Sequence, residues 1–112
     1  MTYDETLTLY RELAAKFDVV VKGKANPYTS MNGNMFSFLD KDGVLCLRLS
    51  KPGQAEFRDT HGGGPVMQYG SVMKDYVAVP EAMLADVAAM AEAFGACLDH
   101  AKTLKPKPTK KT

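Results

Sequence analysis

The stretch NMFSFLDKDGVLCLRLS, Asn34 to Ser50, constrains the fold more than any other part of the chain. Phe36 and Phe38 alternate with Met35, Ser37 and Leu39, and Leu45, Leu47 and Leu49 alternate with Val44, Cys46 and Arg48. Successive side chains on a strand point to opposite faces, so each run reads as a strand with one apolar face. The segment between them closes a hairpin. A two-residue Asp42-Gly43 turn, or a four-residue loop from Asp40 to Gly43, sets both phenylalanines on the face of the three leucines. A three-residue loop sets them beside Cys46 and Arg48 and exposes half of the core face, so parity excludes it. Burying these aromatic and leucine side chains, at about 1.5–3 kcal/mol each, makes the hairpin the centre of the fold.

The flanking segments read as helices and further extended pieces. Thr2 and Glu5 have capping-box spacing, and Leu7, Tyr10, Leu13, Ala14 and Phe17 recur at helical intervals, which predicts an amphipathic helix over about Asp4 to Phe17. VVVKGK is either a short strand or the entry to ANPYTSMNG, whose Asn, Pro, Ser and Gly residues read as a turn-rich connection. Ser50 caps a second helix, with Pro52 tolerated in its first turn, running to about Thr60. VMQYGSVMKDYVAV, Val66 to Val79, reads as a second hairpin turning near Gly70 and Ser71, with Val77 and Val79 on one side and Tyr76 and Ala78 on the other. Pro80 and Glu81 open the last helical region and Asp86 caps its main segment. There Val87, Met90, Ala91, Phe94, Leu98 and Ala101 form a stripe suited to lie on the sheet, with Gly95 beside it for close backbone approach. The opposite face, Ala89, Ala93 and Ala96, is small and smooth; high helix propensity accounts for it, and a homodimer contact is the other reading. The predicted fold is α+β: a two-layer sandwich whose antiparallel sheet of two hairpins, with room for a further short strand, carries N-terminal, middle and long C-terminal helices.

RDTHGGGPVMQYG, Arg58 to Gly70, is the stretch that most invites a chemical reading. A phosphate-binding glycine loop leads from a strand into a helix, whose positive end faces the anion. This one leaves a helix and enters a strand, and it lacks both the GK[ST] ending and the GxGxxG spacing. Gly62 suits a left-handed helix C-cap, and Pro65 starts the next extended segment without needing a donor. His61 sits near the helix C-terminus, where the dipole favours its cation and terminal carbonyls need partners, so it reads as structural. Asp59 is not placed to orient it on the same helix face.

With 112 residues, 46% of them hydrophobic, the chain is sized for one core, taken as a single domain over residues 1–101. No apolar run is long enough to cross a bilayer and no leader pattern opens the chain, which predicts a cytoplasmic protein without membrane partners. Cys46 and Cys97 read as reduced packing thiols, and with only His61 and His100 beside them neither a metal nor a cofactor site is predicted. Charge is distributed unevenly. Of fourteen Lys plus Arg, the five lysines Lys102, Lys105, Lys107, Lys110 and Lys111 fall in KTLKPKPTKKT, which leaves nine basic against thirteen acidic side chains in residues 1–101. Pro106 and Pro108 oppose a helix there, so residues 102–112 are predicted to be a disordered basic tail, either solubilising or a weak nucleic-acid contact.

MFSFLDKDGVLCLRLS, GPVMQYGSVMKDYVAVPEAML and the closing long helix together resemble the TfoX N-terminal-like domain family, over roughly Tyr28 to Leu104. PYTSMNGNMFSFLDKDG and LKPKPTKK look similar to a stand-alone bacterial subgroup of it. The resemblance implies a two-layer α+β domain and, since some full-length relatives regulate natural competence genes, a regulatory role; it implies no catalytic residues. Three function classes follow. The first is a non-enzymatic regulatory or interaction domain with an unknown protein partner, and the second a nucleic-acid-associated accessory protein using the lysine tail. The third, a small enzyme or ligand carrier, needs several of Tyr28, Ser30, Asn32, His61, Asp75 and Tyr76 to converge in one pocket.

Overall fold

The computed structural model describes residues 2–23, 26–64, 66–68 and 70–105. The capping box forms as the sequence requires: Thr2 Oγ1 accepts the Glu5 N–H at 3.2 Å and Glu5 Oε1 accepts the Thr2 N–H at 2.8 Å. It opens helix α1, Tyr3–Ala15. The helix ends before Phe17 because the chain turns at Asp18, whose φ of 58° is left-handed. Among the described residues of VVVKGK, 19–23, there is a bridge in which Lys22 and Tyr28 exchange backbone hydrogen bonds, but no strand.

Within the stretch read as a turn-rich connection lies a strand, β1, Tyr28–Met31, followed by β2, Asn34–Leu39. The link is a two-residue turn in which Asn32 and Gly33 take φ values of 53° and 81°, the left-handed pair that Asn-Gly adopts most readily in a hairpin. Strand β3, Leu45–Arg48, pairs with β2 so that Ser37 faces Leu47, Phe38 faces Cys46 and Leu39 faces Leu45. The Asp40 N–H bonds the Val44 carbonyl at 3.0 Å, leaving a three-residue loop, Lys41 to Gly43. That is the loop parity had excluded. Asp40 holds it, Oδ1 accepting the N–H groups of Asp42 and Val44 at 2.9 Å each, and Gly43 supplies the left-handed φ of 82°.

Strand β2 is not regular, and that irregularity changes the parity of its faces. Its register against β1 shifts between Thr29, which faces Ser37, and Ser30, which faces Met35; Phe36 is therefore an extra residue, a β-bulge. The bulge turns Phe36 and Ser37 to the helix side together, while Met35 and Phe38 point to the other face. The two phenylalanines accordingly occupy opposite faces, Phe36 with Leu45, Leu47 and Leu49 in the main core and Phe38 with Cys46.

Ser50 accepts the Gly53 N–H at 3.1 Å and caps α2, Lys51–His61, which Gly62 closes with a φ of 81°. Val66 to Val79 is not one hairpin. A small ribbon, β4 (Met67–Gln68) with β5 (Ser71–Val72), pairs with itself, while β6, Tyr76–Ala78, joins β3. The result is a four-stranded antiparallel open sheet, order β1-β2-β3-β6. Asp86 accepts the Ala89 N–H at 3.0 Å and starts α3, Val87–Thr103. This helix crosses β1, β2 and β3 with α1 beside it, and α2 packs on β6, giving the α+β architecture. From the predicted stripe Met90, Phe94, Leu98 and Ala101 are buried, but Val87, in the first turn, is 61% exposed. Gly95 has the role its position implied, since a Cβ there would lie 3.3 Å from the Phe17 ring.

Both sheet faces carry an apolar cluster. Val77 and Val79 point into the helix-side core, and Tyr76 and Ala78 into the smaller cluster with Phe38, Cys46 and Val66. Three hydroxyls cross the helix-side core: Tyr10 Oη lies 2.6 Å from Ser37 Oγ, and Ser37 Oγ also contacts Thr29 Oγ1, all within fully buried residues. Ser37 serves both neighbours. Its replacement by alanine is therefore expected to cost about 2–3 kcal/mol, because two buried hydroxyls lose their partner, whereas Tyr10→Phe, which leaves Ser37 and Thr29 paired, costs about 1 kcal/mol. Urea midpoints of the two variants check that order.

Candidate functional site

The three glycines after α2 have different tasks. Gly62 ends the helix, its N–H bonding the Arg58 carbonyl at 2.9 Å. Gly63, with a φ of 93°, runs so close to β6 that a Cβ would sit 2.4 Å from the Ala78 carbonyl oxygen. The Gly64 carbonyl then accepts the Ala78 N–H at 3.4 Å, along the edge of β6 away from β3. The loop is a corner laid against a strand edge, and its N–H groups do not open a helix.

His61, at the last turn of α2, sets its ring at a tilt of 55° beside Phe57, with centroids 5.1 Å apart. It borders a groove of about 340 Å³ between α2 and α3. Leu49, Phe57, Ala93 and Ala96 supply apolar surface, and the two helices each contribute one carboxylate, Glu56 and Glu92. Of the small side chains Ala89, Ala93 and Ala96 on α3, the last two thus form one side of a concavity. Ala93 is buried beside α2 and Ala96 is exposed. Nothing in the linear sequence marks this groove, because it arises from how α2 lies against α3.

The other residues considered for an enzyme or carrier do not converge with His61. Tyr28 lines a pocket on the second sheet face, and Tyr76 shares that face, its hydroxyl donating to the Met35 carbonyl at 2.9 Å. Asp75 receives Arg48 Nη2 at 3.5 Å, a long contact matched by Arg48 Nη1 to the Met35 carbonyl at 3.5 Å. Arg48 Nε, among the described residues, is a buried nitrogen with no hydrogen-bond partner. Ser30 is half-buried on β1, and Asn32 is exposed at the hairpin tip. No three His, Cys, Asp or Glu side chains among the described residues gather as a metal site.

The thiols are not poised to react. Burial pushes Cys46 up from 9.0 to about 12, reinforced by Asp40, and pushes Cys97 to about 12 as well, its Sγ 2.9 Å from the Phe36 carbonyl. They lie in different clusters on opposite faces of the sheet, so they do not face each other for a disulfide. Burial likewise raises Tyr76 from 10.0 to about 12, and raises Tyr10 further, against the lowering effect of its bond to Ser37. The folded chain holds these protons more tightly than the unfolded chain, so their contribution is intact below pH 9 and is lost as pH rises from about 9 to about 12. Urea midpoints are expected to be flat between pH 6 and 8 with respect to these groups and to fall above about pH 9, and a thiol reagent at pH 8 to label the cysteines only after unfolding.

Of the tail lysines, Lys102 is exposed in the last turn of α3, and Lys105 is exposed just beyond it. The Lys105 carbonyl accepts Asn34 Nδ2 at 3.0 Å, tying the end of α3 to the start of β2. Lys107, Lys110 and Lys111 lie outside the described residues. No helix among the described residues is long and apolar enough to cross a membrane. No protein-family model, curated protein or solved structure matches the chain.

Proposed function

We propose that the chain is a non-enzymatic regulatory or interaction domain of the TfoX N-terminal-like kind, and that its partner contact is the groove between α2 and α3. What supports the reading is the groove's composition: an apolar base with Ala93 and Ala96, flanked by Glu56 on one helix and Glu92 on the other. Small residues let a partner backbone approach closely, and the paired carboxylates favour a segment that places lysine or arginine on either side of a short apolar stretch. His61 belongs to this surface as a contact residue. A general base needs an orienting acceptor and a nucleophile, and His61 has instead an aromatic ring beside it.

The test is a photo-reactive side chain at Ala96, crosslinked in the native cell, followed by affinity measurements on the captured partner in purified form. The double variant Glu56→Lys/Glu92→Lys is expected to weaken binding by about tenfold or more, with the loss shrinking at high salt. Binding indifferent to both substitutions would remove the groove from consideration.

The nucleic-acid reading rests on a different observation, the exposed Lys102 and Lys105 at the root of the basic segment. If Lys102, Lys105, Lys107, Lys110 and Lys111 all contact duplex phosphates, log affinity against log salt has a slope of about −4.5. Deleting residues 102–112 then abolishes binding, while groove variants leave it unchanged. A homodimer through Ala89, Ala93 and Ala96 competes for the same groove and is distinguished by sedimentation of the Ala96→Arg variant.

A further inference from the structure

The second sheet face holds a half-open pocket of about 140 Å³ that the interaction reading does not use. Tyr28 from β1, Met35 and Phe38 from β2 and Met73 from the β5–β6 connection form its walls, and Asn26 and Asp40 border it. Phe38 is braced from behind by Tyr76, ring centroids 5.2 Å apart. Size sets the ligand first. An apolar cavity of about 150 Å³ accepts benzene, so a pocket of this volume takes one ring or a compact branched alkyl group.

Wall chemistry narrows the class. Aromatic faces carry a negative quadrupole, which favours a cationic ligand over a neutral or anionic one, while the flexible, polarizable thioethers adapt to its apolar body. Asp40 sets the sign at the border. Two backbone N–H bonds at 2.9 Å fix its Oδ1, which holds the carboxylate in place and leaves Oδ2 outside that pair of bonds. The Arg48 guanidinium does not line the pocket; its Nη1 reaches the Met35 carbonyl and its Nη2 is turned to Asp75. We propose that this pocket binds a small organic ammonium ion, its apolar body between Tyr28, Phe38 and the two methionines and its charged head at Asp40.

Methionine-methyl NMR reads the pocket directly, because Met35 and Met73 line it while Met90, 1% exposed in the helix-side core, is an internal control. Three probes of one shape are titrated: phenethylammonium, phenethyl alcohol and phenylacetate. The Met35 and Met73 methyls are expected to shift saturably with the ammonium, with about five- to tenfold weaker binding of the alcohol and weaker binding still of the carboxylate, and Met90 is expected to stay fixed. Asp40→Asn keeps an acceptor for the loop N–H groups but removes the charge, and should bring the ammonium to the alcohol's affinity. Wild-type protein alone is decisive if that variant does not fold: equal affinity for all three probes, or no shift at Met35 and Met73, overturns the proposal.

Discussion

Gly63→Ala is expected to destabilise the chain by about 3 kcal/mol, against about 1–2 for Gly62→Ala and within about 0.5 for Gly64→Ala. The three substitutions add the same methyl group to neighbouring residues, so the differences isolate backbone environment. Gly62 and Gly63 both have φ in the region L side chains avoid, 81° and 93°. Only at Gly63 does the new Cβ also run into main chain, 2.4 Å from the Ala78 oxygen, where β6 cannot withdraw without breaking its pairing to β3. At Gly64 nothing lies within 4 Å and φ is ordinary. For a domain near this size, about 3 kcal/mol lowers the melting temperature by roughly 10–20 °C. Equal losses at Gly62 and Gly63 would mean that the loop does not lie against β6.

Phe94→Ala is expected to cost more, about 3–5 kcal/mol. Phe94 is fully buried where three elements meet, its ring 5.3 Å from Phe17 after α1 and 5.8 Å from Phe36 on the bulge of β2. Truncation removes the packing of all three at once, and helix α3 cannot sink into the gap because Gly95 already rests on Phe17. Small domains have only about 5–15 kcal/mol in total, so this variant sits near the unfolding threshold at room temperature. Val87→Ala, two turns earlier on the same helix but 61% exposed, is the control and should change stability by less than about 0.5 kcal/mol. Urea unfolding of both, read for midpoint and slope, separates loss of packing from a change in the unfolded state.

The helix starts were legible because their chemistry is local: Thr2 with Glu5, Ser50 with Gly53 and Asp86 with Ala89 satisfy first-turn donors within three residues. The faces of β6 were legible for a similar reason, alternation over a regular strand. Strand β1 carried its signal too, in Asn32-Gly33, but Thr29 and Ser30 read as loop residues because the partner that satisfies the buried Thr29 hydroxyl is Ser37 of β2, itself bonded to Tyr10 of α1. The bulge at Phe36 left no trace in the sequence of β2 itself. It exists only in the register against β1, and it reversed the face assigned to one of two phenylalanines. The groove and the Met35–Met73 pocket were likewise illegible, since each is bounded by elements far apart in the chain. That His61 borders a groove with Glu56 and Glu92 was equally hidden, because it depends on how α2 packs against α3.

The extra residue in β2 has a bearing on how such a chain can vary. On the helix side, Phe36 and Ser37 lock the strand to three other segments, so change there must be concerted. Across the sheet, Met35, Phe38 and Met73 answer to a smaller set of neighbours, and the two methionines open partly to solvent. New recognition properties can therefore arise by single substitutions on that side, while the scaffold that presents them stays as it was.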